Sequence, residues 1–387
     1  MKKLSDVALR AVGQPMFKIL EAAEKLERSG KDILHFELGE PDFDTPQNII
    51  NAACDALNNG YTHYESSAGL RELREVIVEV TLNSRQFSPD LDQILITPGA
   101  NAIIYLSIAS LVNPGYEVIV PDPGFPTYFS SIDLCGAKAV SVPLKKENNF
   151  QLDPDDLLRS ITSKTRLIII NSPSNPTGSC MTPDQIFKVS EIAKQHDIFL
   201  LSDEIYSRLM FEGVDFSSPA TFDECKERII ILNGFSKAFA MTGWRLGVAI
   251  GPTEVINKMN LMLNTIVSCV PPFIQVAGIE ALEGDQSELL KMKEEYYERM
   301  KVLVKGLNTF STISCVSPKG AMHVFPNISK TGLSSDEFAS ICLNEAGVAL
   351  LPGTSFGSFG EGFARMCYVN SKDKIEEALE RMRKIFK

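Results

Sequence analysis

A lysine set among small and apolar residues is the first position in this sequence that could carry chemistry. Lys237 lies in Gly234-Phe-Ser-Lys-Ala-Phe-Ala-Met-Thr-Gly-Trp-Arg245-Leu-Gly247, with Phe235, Phe239, Met241 and Trp244 around it. An unpaired buried ammonium is costly. Burial also lowers its pKa, the condition under which a lysine offers a free amine for Schiff-base chemistry near neutral pH. Arg245 and the hydroxyls of Ser236 and Thr242 could bind an anion at the same place. The alternative is a surface loop with a solvated lysine, which the large apolar neighbours oppose.

Three further segments have residue types suited to a site. Asn171-Ser-Pro-Ser-Asn175-Pro-Thr-Gly178 follows an apolar run. Its prolines and glycine fix a turn at a strand's C-terminal end, where open α/β sheets place ligands. Pro176 restricts Asn175 to an extended backbone and aims its side chain. An ordinary Pro/Asn turn reads the same way. In Ser202-Asp203-Glu204-Ile205-Tyr206, Asp203 could be a helix cap or could share a site with Tyr206 three positions on. Thr97-Pro-Gly99-Ala100-Asn101-Ala102 reads as a strand running into a helix, whose first amides form an anion site of the kind phosphates occupy. Alone, each is weak evidence.

The elements that must position these residues follow from hydrophobic patterning. From about residue 90, the runs QILIT, EVIVP, AVSVP, RLIIIN, IFLLSD, RIIILN and RLGVAI are strand-like, with amphipathic segments such as Asp184 to His196 between most of them. Strands separated by helices predict an α/β fold with a mostly parallel sheet covered on both faces. RLIIIN and RIIILN are nearly unbroken apolar runs, as central strands buried on both faces should be. The last hundred residues change character. A long charged helix runs from about Gln286 to Thr309, and strands follow around Ile313 to Val316 and Met322 to Phe325. Helix, strand, strand and a terminal helix complete an α+β pattern that reads as a smaller domain. Pro41 to Pro46 and Pro271-Pro272 mark the hinges. The expected division is 1–47 as an N-terminal arm with part of the small domain, 48–283 as the large domain and 284–387 as the C-terminal small domain.

Composition bounds the function. The 387 residues, 44% of them hydrophobic, are enough for two cored domains. A net charge of −11 opposes a nucleic-acid surface. The eight cysteines show no CxxC and no Cys/His cluster, which reads as reduced cytoplasmic thiols and neither a disulfide frame nor a metal site. No apolar run approaches the roughly 18 residues of a membrane span, and Ser5, Asp6 and Arg10 interrupt any signal-peptide core.

The combination of helix start, Asn on a Pro turn, acid with nearby Tyr, sheltered Lys and Arg resembles the class I aminotransferases, the aspartate-aminotransferase-like branch of the pyridoxal-phosphate enzymes of fold type I. The likeness runs nearly end to end, from Leu38-Gly-Glu-Pro-Asp-Phe-Asp-Thr-Pro46 through Tyr64-Glu-Ser-Ser-Ala-Gly69 with Leu73-Arg74 to Pro352-Gly-Thr-Ser-Phe-Gly357 and Arg365.

The resemblance implies a seven-stranded-type sheet and pyridoxal 5′-phosphate as cofactor, with Lys237 as its Schiff-base lysine and the acid/base for the substrate α-proton. Asp203 would pair with the pyridinium nitrogen, while Tyr206 and Asn175 would donate to the ring's phenolic oxygen. Gly99, Ala100, Asn101, Ser236 and Arg245 would hold the phosphate, and Phe125 would stack on the ring. Arg365 would clamp the substrate α-carboxylate, with Gly39 and Asn175 assisting. Tyr64 would reach the phosphate of a neighbouring subunit, making a homodimer with shared sites. The implied reaction is a ping-pong exchange between an L-amino acid and a 2-keto acid. A decarboxylase or β-lyase on the same scaffold is the rival reading, and a DNA-gripping regulator is opposed by the acidic charge. Two departures from the family pattern stand out: Phe125 where aspartate-type members often have Trp, and Gly234 where many relatives have Ser.

Overall fold

The structure, a computed structural model, describes residues 3–211, 213–214 and 216–386. After a short strand β1 (Leu34–His35), seven strands build the central sheet: β2 (Ile94–Thr97), β3 (Glu117–Asp122), β4 (Lys138–Pro143), β5 (Thr165–Asn171), β6 (Phe199–Asp203), β7 (Ile229–Gly234) and β8 (Gly247–Ile250). Their order is β2-β8-β7-β6-β5-β3-β4. Every pairing is parallel except those of β8, which runs antiparallel to both β2 and β7. The seven strand-like runs are thus the seven strands.

Alternation along each strand explains why the sheet needs two covering layers. Ile168, Ile170, Leu200, Ile229 and Ile231 fall in one hydrophobic cluster, while Leu167, Ile169, Leu201, Ile230 and Leu232 fall in another. Successive side chains point to opposite faces, so an unbroken apolar run feeds two cores at once. Helices Arg71–Arg85 and Pro272–Glu283 contribute to the first cluster, and helices Ala100–Leu111 and Thr253–Val267 to the second.

All strands but β8 point the same way, so the loops leaving β2, β5, β6 and β7 emerge along one edge. The β7–β8 connection is a hairpin pinned at its base by the Gly234↔Gly247 pair, and it carries Lys237. Ligand sites in such sheets form beyond these carboxyl ends.

A separate cluster lies around the long helix Ser287–Leu307 and the terminal helix Lys372–Arg383, and it includes Leu34 and Phe36. Two small sheets border it. One is three-stranded and antiparallel, of β9 (His323–Val324), β11 (Leu351–Pro352) and β12 (Ala364–Cys367); the other pairs β1 with β10 (Val348–Ala349), parallel, with Leu34 opposite Val348. The strand expected at Ile313 to Val316 is reduced to an isolated bridge between Ser314 and Asn327. The Asn308 side chain accounts for this: it accepts from the Cys315 amide at 2.8 Å and donates to the Cys315 carbonyl at 2.9 Å, engaging the groups a ladder would use. Among the described residues, no helix is long and apolar enough to cross a membrane.

Candidate active site

The loops beyond the sheet's carboxyl edge enclose a cavity of ≈ 570 Å³. Gly39, Ala100, Asn101, Phe125, Asn175, Asp203, Tyr206, Ser236, Lys237, Arg245 and Arg365 all line it. Residues separated by more than three hundred positions converge there because β5, β6 and β7 are neighbours in the sheet and β12 packs close to their ends.

Lys237 is half-buried, and its Nζ donates to the Gly39 carbonyl at 2.6 Å. Burial pulls the amine down to about 8, with Arg365 and Arg245 adding to the effect against Cys367 and Glu40. Such an amine is neutral in a substantial fraction near physiological pH, which a solvated lysine is not. A Cβ at position 39 would fall 2.7 Å from His323 Cε1, so only glycine lets this segment bring its carbonyl up to the lysine.

Asp203 ends β6 and is buried, and no helix follows it. Its Oδ1 accepts from the Ile205 amide at 3.1 Å, a turn contact, while Oδ2 accepts from the Tyr128 hydroxyl at 2.6 Å. Burial pushes the carboxyl up to about 6, opposed by these two donors and by Lys237. A carboxylate so placed gains from a cation brought to its free side.

Asn175 is fixed from below: its amide donates to Asn171 Oδ1 at 2.7 Å, and Asn171 Nδ2 donates to the Asp203 carbonyl at 3.0 Å. The Asn171 side chain thus ties the ends of β5 and β6 together. Arg365 is 1% exposed. One Nη donates to the Glu37 carbonyl, the other lies 3.5 Å from Asn175 Oδ1, and Nε has no partner. A guanidinium held this way retains unused N–H capacity for a carboxylate.

Gly99 does not itself line the cavity. Its φ of 82° turns the chain into helix Ala100–Leu111, and a Cβ there would lie 2.4 Å from Arg245 Nη2. Glycine therefore lets a helix N-terminus and a guanidinium meet at one spot, with the Ser236 side chain on the same cavity wall. Thr242, read as a second anion-binding hydroxyl, is committed elsewhere: it donates to the Glu40 carboxylate. Tyr64 is 87% exposed and lies outside this cavity.

Sequence reasoning missed three contributors. Tyr128 braces Asp203, and burial raises its own pKa well above the ordinary phenol value. Its only sequence signal was its place in Pro123-Gly-Phe-Pro-Thr-Tyr128, one helical turn after Phe125. His323, one of four histidines in the chain, shares a hydrogen bond with the Tyr206 hydroxyl at 3.1 Å and lies 3.2 Å from Cys367 Sγ. Burial, with Arg365 and Lys237 nearby, pushes its pKa well below the ordinary imidazole value and keeps it neutral. Finally, Gln14, Met16, Phe17 and Leu20 form a lip of the cavity. The Gln14 amide anchors that lip by donating to Thr127 Oγ1 at 3.1 Å. Nothing local in an amphipathic helix announces such a role.

Comparison with known proteins agrees with this geometry. The family described as "Aminotransferase class I and II" matches residues 31–382. The chain is 42% identical to an aspartate aminotransferase of Pyrococcus horikoshii over 95% of its length and 93% of the relative's. It is 40% identical to aromatic-amino-acid aminotransferase 2 of Thermococcus litoralis, over 96% and 95%. The solved structure of Thermus thermophilus aspartate aminotransferase with maleate superposes with a TM-score of 0.95 at 33% identity, covering all of both chains. With the match spanning both the sheet and the C-terminal elements that supply Arg365, the chain belongs to the class I and II aminotransferase family and is an aminotransferase.

Proposed function

We propose that this aminotransferase works with pyridoxal 5′-phosphate held in the cavity around Lys237, exchanging an amino group between an L-amino acid and a 2-keto acid. The observation that carries this reading is the convergence, in one cavity, of a lysine with a depressed pKa, a buried carboxylate and a buried guanidinium with an unpartnered Nε. The residues fit the cofactor. The start of helix Ala100–Leu111, Ser236 and Arg245 would hold its phosphate, Asp203 its ring nitrogen, Asn175 and Tyr206 its phenolic oxygen, and Phe125 its face.

When bound, pyridoxal phosphate supplies a carbonyl that condenses with amines and a ring that accepts electron density. The chain supplies the rest. Lys237 Nζ would provide the covalent anchor and carry the α-proton, acting as base and then acid. Asp203 would keep a proton on the ring nitrogen, and Tyr128 keeps Asp203 in place. Arg365, with its unpartnered Nε, would hold the α-carboxylate and so favour loss of the α-proton over loss of the carboxylate. Gly39 and Asn175 complete that clamp.

The lip favours an apolar donor side chain. Met16, Phe17, Leu20 and Leu38 border the cavity, Glu40 adds a negative charge, and the only cations lining it among the described residues are Lys237, Arg245 and Arg365. Relatives are named for both aspartate and aromatic amino acids. A donor screen is expected to show ping-pong kinetics with stoichiometric keto acid. Phenylalanine or leucine should exceed aspartate in kcat/KM by roughly tenfold or more, the scale of apolar side-chain discrimination. Carbon dioxide released in place of keto acid would overturn transamination, and an aspartate preference would overturn the donor assignment.

The site is proposed to be completed across a two-fold interface. Tyr64 projects fully from the Gly60–Gly69 loop, and Leu261 and Ile266 on helix Thr253–Val267 are also exposed. Closed two-fold dimers are the commonest soluble oligomer. Heterodimers of Tyr64→Phe with Lys237→Ala chains would contain one intact site. Heterodimers of the double variant with wild type would contain none, so the first should bind cofactor about tenfold more tightly at their Lys237 site, the scale of one hydrogen bond to a charged group. Equal affinity, or a monomer by sedimentation, refutes the shared site. The eight unpaired thiols support placing the enzyme in the reducing cytoplasm.

A further inference from the structure

A second cavity of ≈ 400 Å³ lies behind the strand that leads to Lys237. Its walls are mostly apolar, with Ile77, Phe235, Val248, Ile250 and Leu282 among them. Two arginines break that surface, Arg85 and Arg208.

Among the described residues, the charges at and behind this wall do not balance. Arg85 is 7% exposed and pairs with buried Glu204, Nε donating to Oε2 at 2.7 Å. Its Nη1 donates to Ser84 Oγ at 2.8 Å. Its Nη2 sits 2.6 Å from the same Oε2 without the alignment of a hydrogen bond, and is left as a buried nitrogen with no hydrogen-bond partner. Glu204 is fully engaged, since its other oxygen accepts from Ser202 at 3.0 Å and Ser218 at 2.5 Å. Arg208 stacks over the Phe239 ring, 5.3 Å from its centroid, and among the described residues it has no carboxylate partner. Burial and the neighbouring Arg85 lower its pKa. Among the described residues, Glu204 pairs with Arg85 alone, which leaves the Arg208 guanidinium without a carboxylate on the wall of a largely apolar hollow. Ligand pockets of this size are apolar with a few placed polar groups.

We infer that this cavity is a second binding site, distinct from the aminotransferase centre, for a small organic carboxylate with an apolar aromatic or branched body. The carboxylate would take Arg208, and the apolar walls would take the body. A free amino acid fits less well, because its ammonium would find Glu204 already occupied. The cavity also shares its walls with the catalytic segments: Ser207 follows Tyr206, and Phe235 precedes Ser236 and Lys237.

Photolabelling of the holoenzyme with 4-benzoylbenzoate, mapped by peptide mass spectrometry, reads the location directly. Label is expected on residues of this second cavity, protected by excess phenylacetate but not by benzylamine, and absent with benzophenone, which has no carboxylate. Arg208→Gln should cut that label about tenfold, the scale of one hydrogen bond to a charged group, and Arg208→Lys should retain most of it. Arg208 is partly exposed, so both variants are expected to fold, and unchanged turnover would confirm it. Label confined to the Lys237 cavity, no label, or second-cavity label equal in wild type and Arg208→Gln overturns the inference.

Discussion

Lys237→Ala is expected to lower turnover by roughly 10⁴-fold or more, the range of a positioned acid–base group before the loss of its covalent role is added. The fold should survive, because Lys237 is half-buried and its one hydrogen bond is to the Gly39 carbonyl, which faces the cavity and can turn to water. Two readouts besides activity test the assignment. Borohydride treatment should leave cofactor covalently attached to wild type at Lys237 and to no lysine of the variant. In the cofactor-free protein, the acylation rate of Lys237 should rise with an inflection near the depressed value of about 8. Below that pH the amine is protonated and unreactive; above it the neutral form dominates, whereas a solvated lysine reaches that point only near its ordinary value of about 10.4. Attachment at another lysine, or an inflection at the ordinary value, would show that Lys237 is a sheltered structural residue.

Asp203→Asn is expected to slow proton removal from the donor by about 10²–10³-fold, the cost of losing one preorganised electrostatic partner of the developing charge. An amide keeps the shape: its one oxygen can still accept from the Ile205 amide, and its NH2 can donate to the Tyr128 oxygen in place of accepting from it, so stability should change little. It cannot hold a proton on the ring nitrogen. Tyr128→Phe should give a smaller loss, because it removes a brace of Asp203 and leaves the charge. An unchanged single-turnover rate in Asp203→Asn would reduce Asp203 to the turn contact it makes with Ile205.

Much of the fold was legible because each central strand is written as an apolar run. Thr165–Asn171 and Ile229–Gly234 have few conformations that bury such runs on both sides, and a covered sheet is the one the connecting helices allow. The strand near Ile313 was not legible, since its outcome depends on Asn308 reaching Cys315, a side-chain contact no periodicity encodes. The reversed direction of β8 was equally hidden, because an apolar run of four residues has the same pattern in either direction.

The sequence by itself determined which chemistry is available. Lys237 between small and aromatic residues, Asp203 at a strand end, Asn175 before a proline and Gly99 before a helix are local facts, and each states what its neighbours permit. The sequence also determined the strands that carry these residues. Only the tertiary structure decided that Lys237, Asp203 and Asn175 share one cavity, because the strand order brings β5, β6 and β7 side by side and the C-terminal elements lay Arg365 over their ends. It alone assigned Tyr128 to Asp203, His323 to Tyr206 and Thr242 away from the anion site. The reason is physical. A backbone preference is set within a few residues, whereas a hydrogen-bond partner and a depressed pKa arise from whatever distant groups packing brings within about 3 Å of one another.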